Sequence, residues 1–279
     1  VQALIGALQD QGKDVRSAAA HALGGRTLSE AAVLALIGAL QDQDKDVRPE
    51  VARALGSRSM LSEAAVLALI GACQDQDKDV RSAAARALGG QSMLSEAAVL
   101  ALIGALQDQD KDVRSAAARA LGSRSTLSEA AVLALIGALQ DQDLDVRWEA
   151  VRALEGQRTL SEAAVLALIG ALQNQDKDVR SMAASALRGQ RTLSAAAVRA
   201  LVDACQDKDS YVRSAAACAL GGKSTLSEAA VLVLIGALKN QDKNVREVAA
   251  KALKEQKSLP TKAIQALITR LKDRDKSIR

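Results

Sequence analysis

The chain has 279 residues, a formal charge of +4, one Trp, one Tyr, no Phe and two prolines, and 49% of it is hydrophobic. The bulky aromatics that fill a large single core are missing, which excludes an ordinary globule and favours many short helices, each adding a thin apolar stripe. The longest apolar stretch, AAVLALIGAL at 31–40 with Gly38 inside it, is too short to span a bilayer, so no membrane is expected as a partner.

Read from its first residue, the chain opens on VQALIGALQD, which matches the middle of a unit repeated downstream, so it reads as cut from something longer. A Val-Arg pair recurs at Val15, Val47, Val80, Val113, Val146, Val179, Val212 and Val245, with Ile278 closing the series. The step is 33 residues, except for one of 32. Self-similarity at such a period marks a solenoid or array. Partial repeats at 1–27 and 259–279 flank seven full ones at 28–60, 61–93, 94–126, 127–159, 160–192, 193–225 and 226–258, a single array over 1–279.

Each repeat predicts two helices. In 94–126, Ser95 is placed to cap the first and Glu96 to meet the positive end of its dipole. Val99, Leu102, Ile103 and Leu106 follow at i, i+3, i+4 and i+7 as one apolar stripe. QDQD breaks the pattern. Asp110 can cap the second helix, Val113, Ala117, Ala120 and Leu121 form its inner side, and Gly122 and Ser123 end it. Two short helices cannot bury their stripes alone, so the repeats must stack.

The pattern L-x-x-L-(x)-D-x-D-x-x-V-R-x-x-A-x-x-A-L resembles the HEAT repeat, close to the short HEAT-like repeats of phycobilisome-lyase relatives, and the resemblance covers the whole chain. Its period also matches ankyrin, but the TPLH turn is absent. The resemblance implies an all-α fold, a right-handed α-α superhelix (HEAT-like solenoid) of stacked two-helix repeats. It also implies that aspartates ending the first helices and arginines of the second form a structural ladder along the stack. The matching residues are Asp75, Arg81, Asp108, Arg114, Asp141, Arg147 and Arg180, while Asn174 and Asn240 stand at aspartate positions.

Repeats 61–93 and 94–126 differ at only four positions, which makes the changes elsewhere informative. In the second helix the variable positions are those of Lys111, Asp112, Ser115, Ala116 and Arg119, spaced 0, 1, 4, 5 and 8 along one helical face. In HEAT-like stacks this face lines the concave surface, the one such proteins use to hold partners. The repeat 127–159 places Leu144, Trp148, Glu149 and Arg152 there, and later repeats add Met182, Ser185 and Tyr211. With Lys111, Ser115 and Arg119 these are the candidate partner-binding residues, Trp148 at their centre, and the partner is expected to be a protein or peptide segment. Val151 is expected to face inward. In the first helix, Leu34, Leu67, Leu100, Leu133, Leu166 and Leu232 share a position held elsewhere by Gln2, Arg199 and Gln265. Each leucine is expected to pack against the adjacent first helix, with Gly38, Gly71, Gly104, Gly137 and Gly170 permitting close approach; a sticky stripe for self-association is the alternative.

Chemistry finds little support. His21 is the only histidine, QDQDKD lacks the glycine and closing glutamate of a calcium loop, and no phosphate loop or dinucleotide fingerprint occurs. No catalytic residue, metal, cofactor or enzymatic activity is expected. Cys73, Cys205 and Cys218 form neither a disulfide framework nor a metal spacing, which fits a cytoplasmic compartment. Residues 226–279 hold twelve Lys/Arg against six Asp/Glu, a net +6, leaving −2 for the remainder. That basic end is the alternative site, for nucleic acid or an acidic partner, but aspartates beside the lysines interrupt any positive track and stacking aromatics are lacking. Nucleic acid is therefore disfavoured, a purely architectural spacer remains a further alternative, and a monomer is favoured over an oligomer.

Overall fold

A computed structural model describes residues 1–221, 223, 225–259, 261, 264 and 265. Among these, sixteen helices and no strands are present. First helices of successive repeats are α1 (Gln2–Ala7), α3 (Glu30–Ala39), α5 (Glu63–Ala72), α7 (Glu96–Ala105), α9 (Glu129–Ala138), α11 (Glu162–Ala171), α13 (Ala195–Ala204) and α15 (Glu228–Ala237). Second helices are α2 (Lys13–Gly24), α4 (Val47–Gly56), α6 (Lys78–Gly89), α8 (Lys111–Gly122), α10 (Leu144–Gly156), α12 (Lys177–Arg188), α14 (Ser210–Leu220) and α16 (Lys243–Lys254). The chain divides into two compact blocks, Val1–Ala153 and Leu154–Arg279. The closing Ile278–Arg279 pair lies outside the described residues.

Local chemistry sets the helix ends. Ser95 Oγ accepts the N–H of Ala98, and the matching serines of the other full repeats do the same. Asp110 accepts the N–H of Asp112 at the start of α8. α4 starts at Val47, two positions later than its counterparts, because Pro49 has no N–H to donate to the carbonyl of Lys45 and close the first turn there.

Within each block, a repeat packs its first helix on its own second helix and both on the next repeat. Leu102 and Leu121 are fully buried, with Val113 and Ala117 beside them, while Val99 and Ile103 are only half-buried. A leucine so placed contributes about 1.5–3 kcal/mol.

The second helices approach one another closely in the first block. A Cβ on Gly56 would lie 2.7 Å from Ala87 Cα, one on Gly89 2.7 Å from Ala120 Cα, and one on Gly122 2.8 Å from Ala153 Cβ. Glycine is required there because a backbone occupies the space. The first helices differ, contrary to expectation. Gly38, Gly71, Gly104, Gly137 and Gly170 meet no atom within 4 Å of an added Cβ, and the leucines one turn earlier stand in solvent. These glycines do not serve close approach between first helices; that role belongs to the glycines ending the second helices.

Arginine forks tie repeat to repeat. Arg81 donates through Nε and Nη2 to both carboxylate oxygens of Asp108 in the following repeat, at 2.6 and 2.8 Å, and through Nη1 to the carbonyls of Asp75 and Gln76 in its own. Arg16 with Asp42, Arg48 with Asp75, Arg114 with Asp141 and, in the second block, Arg180 with Asp207 repeat the geometry. The same carboxylates accept a loop N–H, as Asp108 does from Asp110 at 2.8 Å. Arg147 is buried and donates to the carbonyl of Asp141 at 2.8 Å. Asn174 and Asn240 keep the loop bond, each accepting at 2.8 Å from the amide two residues on. Bidentate charged pairs of this kind are among the stronger hydrogen bonds in proteins.

The fork on Asp42 from Arg16, and that on Asp207 from Arg180, hold those carboxyls below the ordinary aspartate range. Burial opposes ionisation at Asp75, Asp108 and Asp141, but the arginine forks and loop amides outweigh it and lower these too. A carboxyl with a lowered folded pKa contributes stability above the unfolded value of about 3.9, and the contribution is lost as pH falls through the folded value. The urea midpoint is therefore expected to hold from about pH 7 to 5 and to fall steeply below about pH 4, with Asp108→Asn giving a shallower fall. Gly89→Ala is expected to lower stability by about 1–3 kcal/mol, read by thermal unfolding, since Ala120 backbone must move.

Candidate functional site

Stacking consumes one side of each second helix, and the positions it leaves exposed are among those that vary between repeats. In the first block they lie on α8 and α10. The lysine position is exposed and bonds forward: Lys111 Nζ reaches Asp143 Oδ2 at 3.1 Å, as Lys13 reaches Asp46 at 2.7 Å and Lys78 reaches Asp110 at 3.2 Å. Exposed pairs like these contribute little stability. Leu144 occupies this position in α10, so the rung is absent there and an exposed apolar side chain takes its place.

The serine position lies near the helix junction. Ser82 and Pro49 are buried at it and Ser115 is half-buried. An indole exceeds that space, and Trp148 stands 62% exposed. One turn earlier is Leu144 and one turn later the exposed Arg152, so Leu144, Trp148 and Arg152 form a single ridge on α10. Beside it Glu149 is half-buried and held by Arg119 of the preceding repeat, with Nη2 to Oε1 at 2.6 Å and Nε to Oε1 at 3.0 Å. Arg152 approaches the other oxygen at 3.8 Å. Glu149 is thus a bridge between guanidinium groups rather than a free acid. His21 makes the corresponding contact with Glu50 at 3.3 Å.

In the second block Tyr211 is 73% exposed on α14 and Ser185 half-exposed on α12. Met182 departs from expectation. It is only 5% exposed, because its position faces the neighbouring second helices, where Ala83 and Ala116 are also buried. Met182 belongs to the packing and not to an exposed face. Val151 is buried, as its sequence position indicates.

A second set of inter-repeat donors lies in the loops after the second helices, and sequence reading missed it. Arg58 donates to the carbonyl of Leu28 at 2.9 Å, Gln91 to that of Arg58 at 2.9 Å, and Arg124 to that of Ser92 at 2.8 Å. In the second block Gln190 donates to Gln157 at 2.8 Å, Lys223 to Gln190 and to Arg188, and Gln256 to Lys223. Gln190 also accepts the N–H of Leu160. The available signal was that this position always holds a long donor (Arg, Gln or Lys) from repeat 28–60 through 226–258. Burial of Lys223, reinforced by Arg188, pushes its amine below the ordinary lysine value.

A cleft of about 560 Å³ in the second block is lined by Arg188, Cys218, Lys223, Val248, Lys251 and Glu255 among others. Arg188 there bonds Glu155 at 3.1 Å. Among the described residues no group of three or more His, Cys, Asp or Glu is placed to hold a metal ion, and no helix is long and apolar enough to cross a membrane. Much of the basic end, from residue 266 on, lies outside the described residues.

No curated protein matches the chain. Among solved structures, an engineered protein superposes with a TM-score of 0.55 at 24% identity, covering 99% of this chain and 85% of that one. Importin beta superposes with a TM-score of 0.65 at 18% identity over 91% of this chain, and in a second crystal condition with 0.62 at 16% over 99%. The chain spans 40–45% of importin beta's length. These likenesses show a shared helical-repeat solenoid fold. The model for HEAT repeats matches residues 1–89, 66–155, 132–221 and 198–279, and the chain therefore belongs to the HEAT-repeat family.

Proposed function

We propose that this chain is a non-enzymatic scaffold that holds a protein or peptide segment against the face lined by its second helices, with the Leu144–Trp148–Arg152 ridge as the anchor. The HEAT-repeat solenoid is commonly a protein-interaction scaffold. The observation that carries the finer reading is Trp148, 62% exposed at a position where other repeats of the first block hold a small, tucked-in residue. Large aromatics beside arginine make up the energetic centres of protein interfaces. Leu144 adds apolar area one turn away, and Arg119 and Arg152 flank Glu149. The partner chemistry that suits this ridge is an apolar side chain over the indole with a carboxylate beside it. Cys73 and Cys205 are buried free thiols whose pKa burial pushes up to about 12, so they serve as packed side chains and not as reactive groups.

Selection of peptides from a random library on the intact chain supplies a defined ligand for the test. Trp148→Ala is expected to weaken the selected peptides by roughly 30-fold or more, in line with a loss of about 2 kcal/mol at an interface centre, with helicity and unfolding midpoint unchanged. Met182→Ala is expected to act instead on stability, by about 2–5 kcal/mol as for other buried methionines. Equal affinity of peptides for the parent chain and for Trp148→Ala would remove the ridge from the binding site.

A further inference from the structure

The first helices of the first block carry a feature that stacking does not use. Leu34, Leu67, Leu100 and Leu133 are 41–58% exposed on α3, α5, α7 and α9. One turn after each is a glycine, Gly38, Gly71, Gly104 or Gly137, equally open, with no atom within 4 Å of a built Cβ. A glycine inside a helix is about 1 kcal/mol less favourable than alanine, and within the chain nothing at these four sites requires the missing methyl. The surface between is uncharged. Exposed alanines precede the leucines, glutamates stand only at the helix starts, and exposed glutamines follow the helix ends.

We infer that this face is an interface for a second copy of the same chain, in which each leucine seats over a glycine of the partner and each glycine receives a leucine in return. The reciprocal pattern is that of a two-fold contact, where one patch meets itself. The pitch selects the occupant. Knob and hole recur once per repeat along the block, and only an array of identical pitch meets all of them at once. A lone helix or extended peptide meets them singly. Size agrees with a weak, reversible pairing. Ten-residue helices are about 15 Å long. Set about 10 Å apart, four of them offer roughly 600 Å² per partner, against about 800 Å² in a standard interface. In the second block the pair recurs on α11 (Leu166, Gly170) and α15 (Leu232, Gly236), but Arg199 and Asp203 replace it on α13 between them, so the first block holds the longer uncharged run.

Sedimentation equilibrium of the intact chain over a wide concentration range tests this. The expected result is a monomer–dimer equilibrium that stops at two copies. Leu67→Lys with Leu100→Lys is expected to weaken it about tenfold or more, a change of about 1.4 kcal/mol, with an unchanged circular-dichroism melt. Gly71→Ala with Gly104→Ala is expected to raise the melting temperature, through helix propensity, while weakening the dimer, a combination that a purely structural role for these glycines does not produce. A chain that stays monomeric throughout, a mass that grows beyond two copies, or a dimer insensitive to both pairs of substitutions would overturn the inference. So would a dimer lost only with Trp148→Ala, which would place the contact on the second helices. Should the lysine variant misfold, the glycine pair alone decides.

Discussion

Helices of ten to thirteen residues are marginal in water on their own, and a pair of them encloses no interior. This chain therefore makes its core between repeats. Each leucine buried at a repeat centre and each Ala–Gly crossing of second helices depends on the next repeat being in place. The forks follow from that dependence. Arg81 spans from carbonyls of its own repeat to the carboxylate of the next, and Asp108 passes the connection into its own loop. Gln91 and its counterparts do the equivalent work at the opposite end of the second helices, carbonyl by carbonyl. Polar and apolar interactions are thus arranged at the same junctions.

What stacking leaves over divides into two surfaces of different character. The second-helix face varies from repeat to repeat and culminates in one ridge, so it suits recognition of a particular partner. The first-helix face of the first block, from α3 to α9, is almost invariant and carries charge only at the helix starts, and suits an occupant as repetitive as itself. The charged groups on the second-helix face are largely engaged with one another. Arg119 with Glu149 and Lys111 with Asp143 both reach across a repeat boundary. The ridge on α10 breaks that habit, because Leu144 withdraws a lysine from the rim and Trp148 replaces a tucked-in serine.

Much of the fold was legible because it is written eight times. Period, helix pairs, serine and aspartate caps and the arginine–aspartate ladder all follow from residue types that recur at fixed spacing. The failures share a physical origin: periodicity says which positions are equivalent, not what lies opposite them. Met182 stands among variable positions, which predicts exposure, yet it and the alanines at the same position are buried against neighbouring helices. Gly104 and Gly89 look alike in sequence, but one faces open space and the other a backbone. The loop donors Arg58, Gln91 and Arg124 were overlooked because their partners are carbonyls, which no sequence pattern marks. The candidate ridge was legible as an anomaly among copies, with Trp148 the loudest departure.

The reading of function rests on the variable side chains standing outside the stack, and Trp148, as the chain's sole tryptophan, reports on this without any label. Quenching of its fluorescence by iodide and by acrylamide in the intact, unliganded chain measures the exposure directly. Ready quenching by both, close to that of the urea-unfolded chain, is the result expected of an indole 62% exposed. Emission shielded from iodide and only slowly quenched by acrylamide would mean that the indole is covered by its own chain, and the proposed binding ridge would not exist.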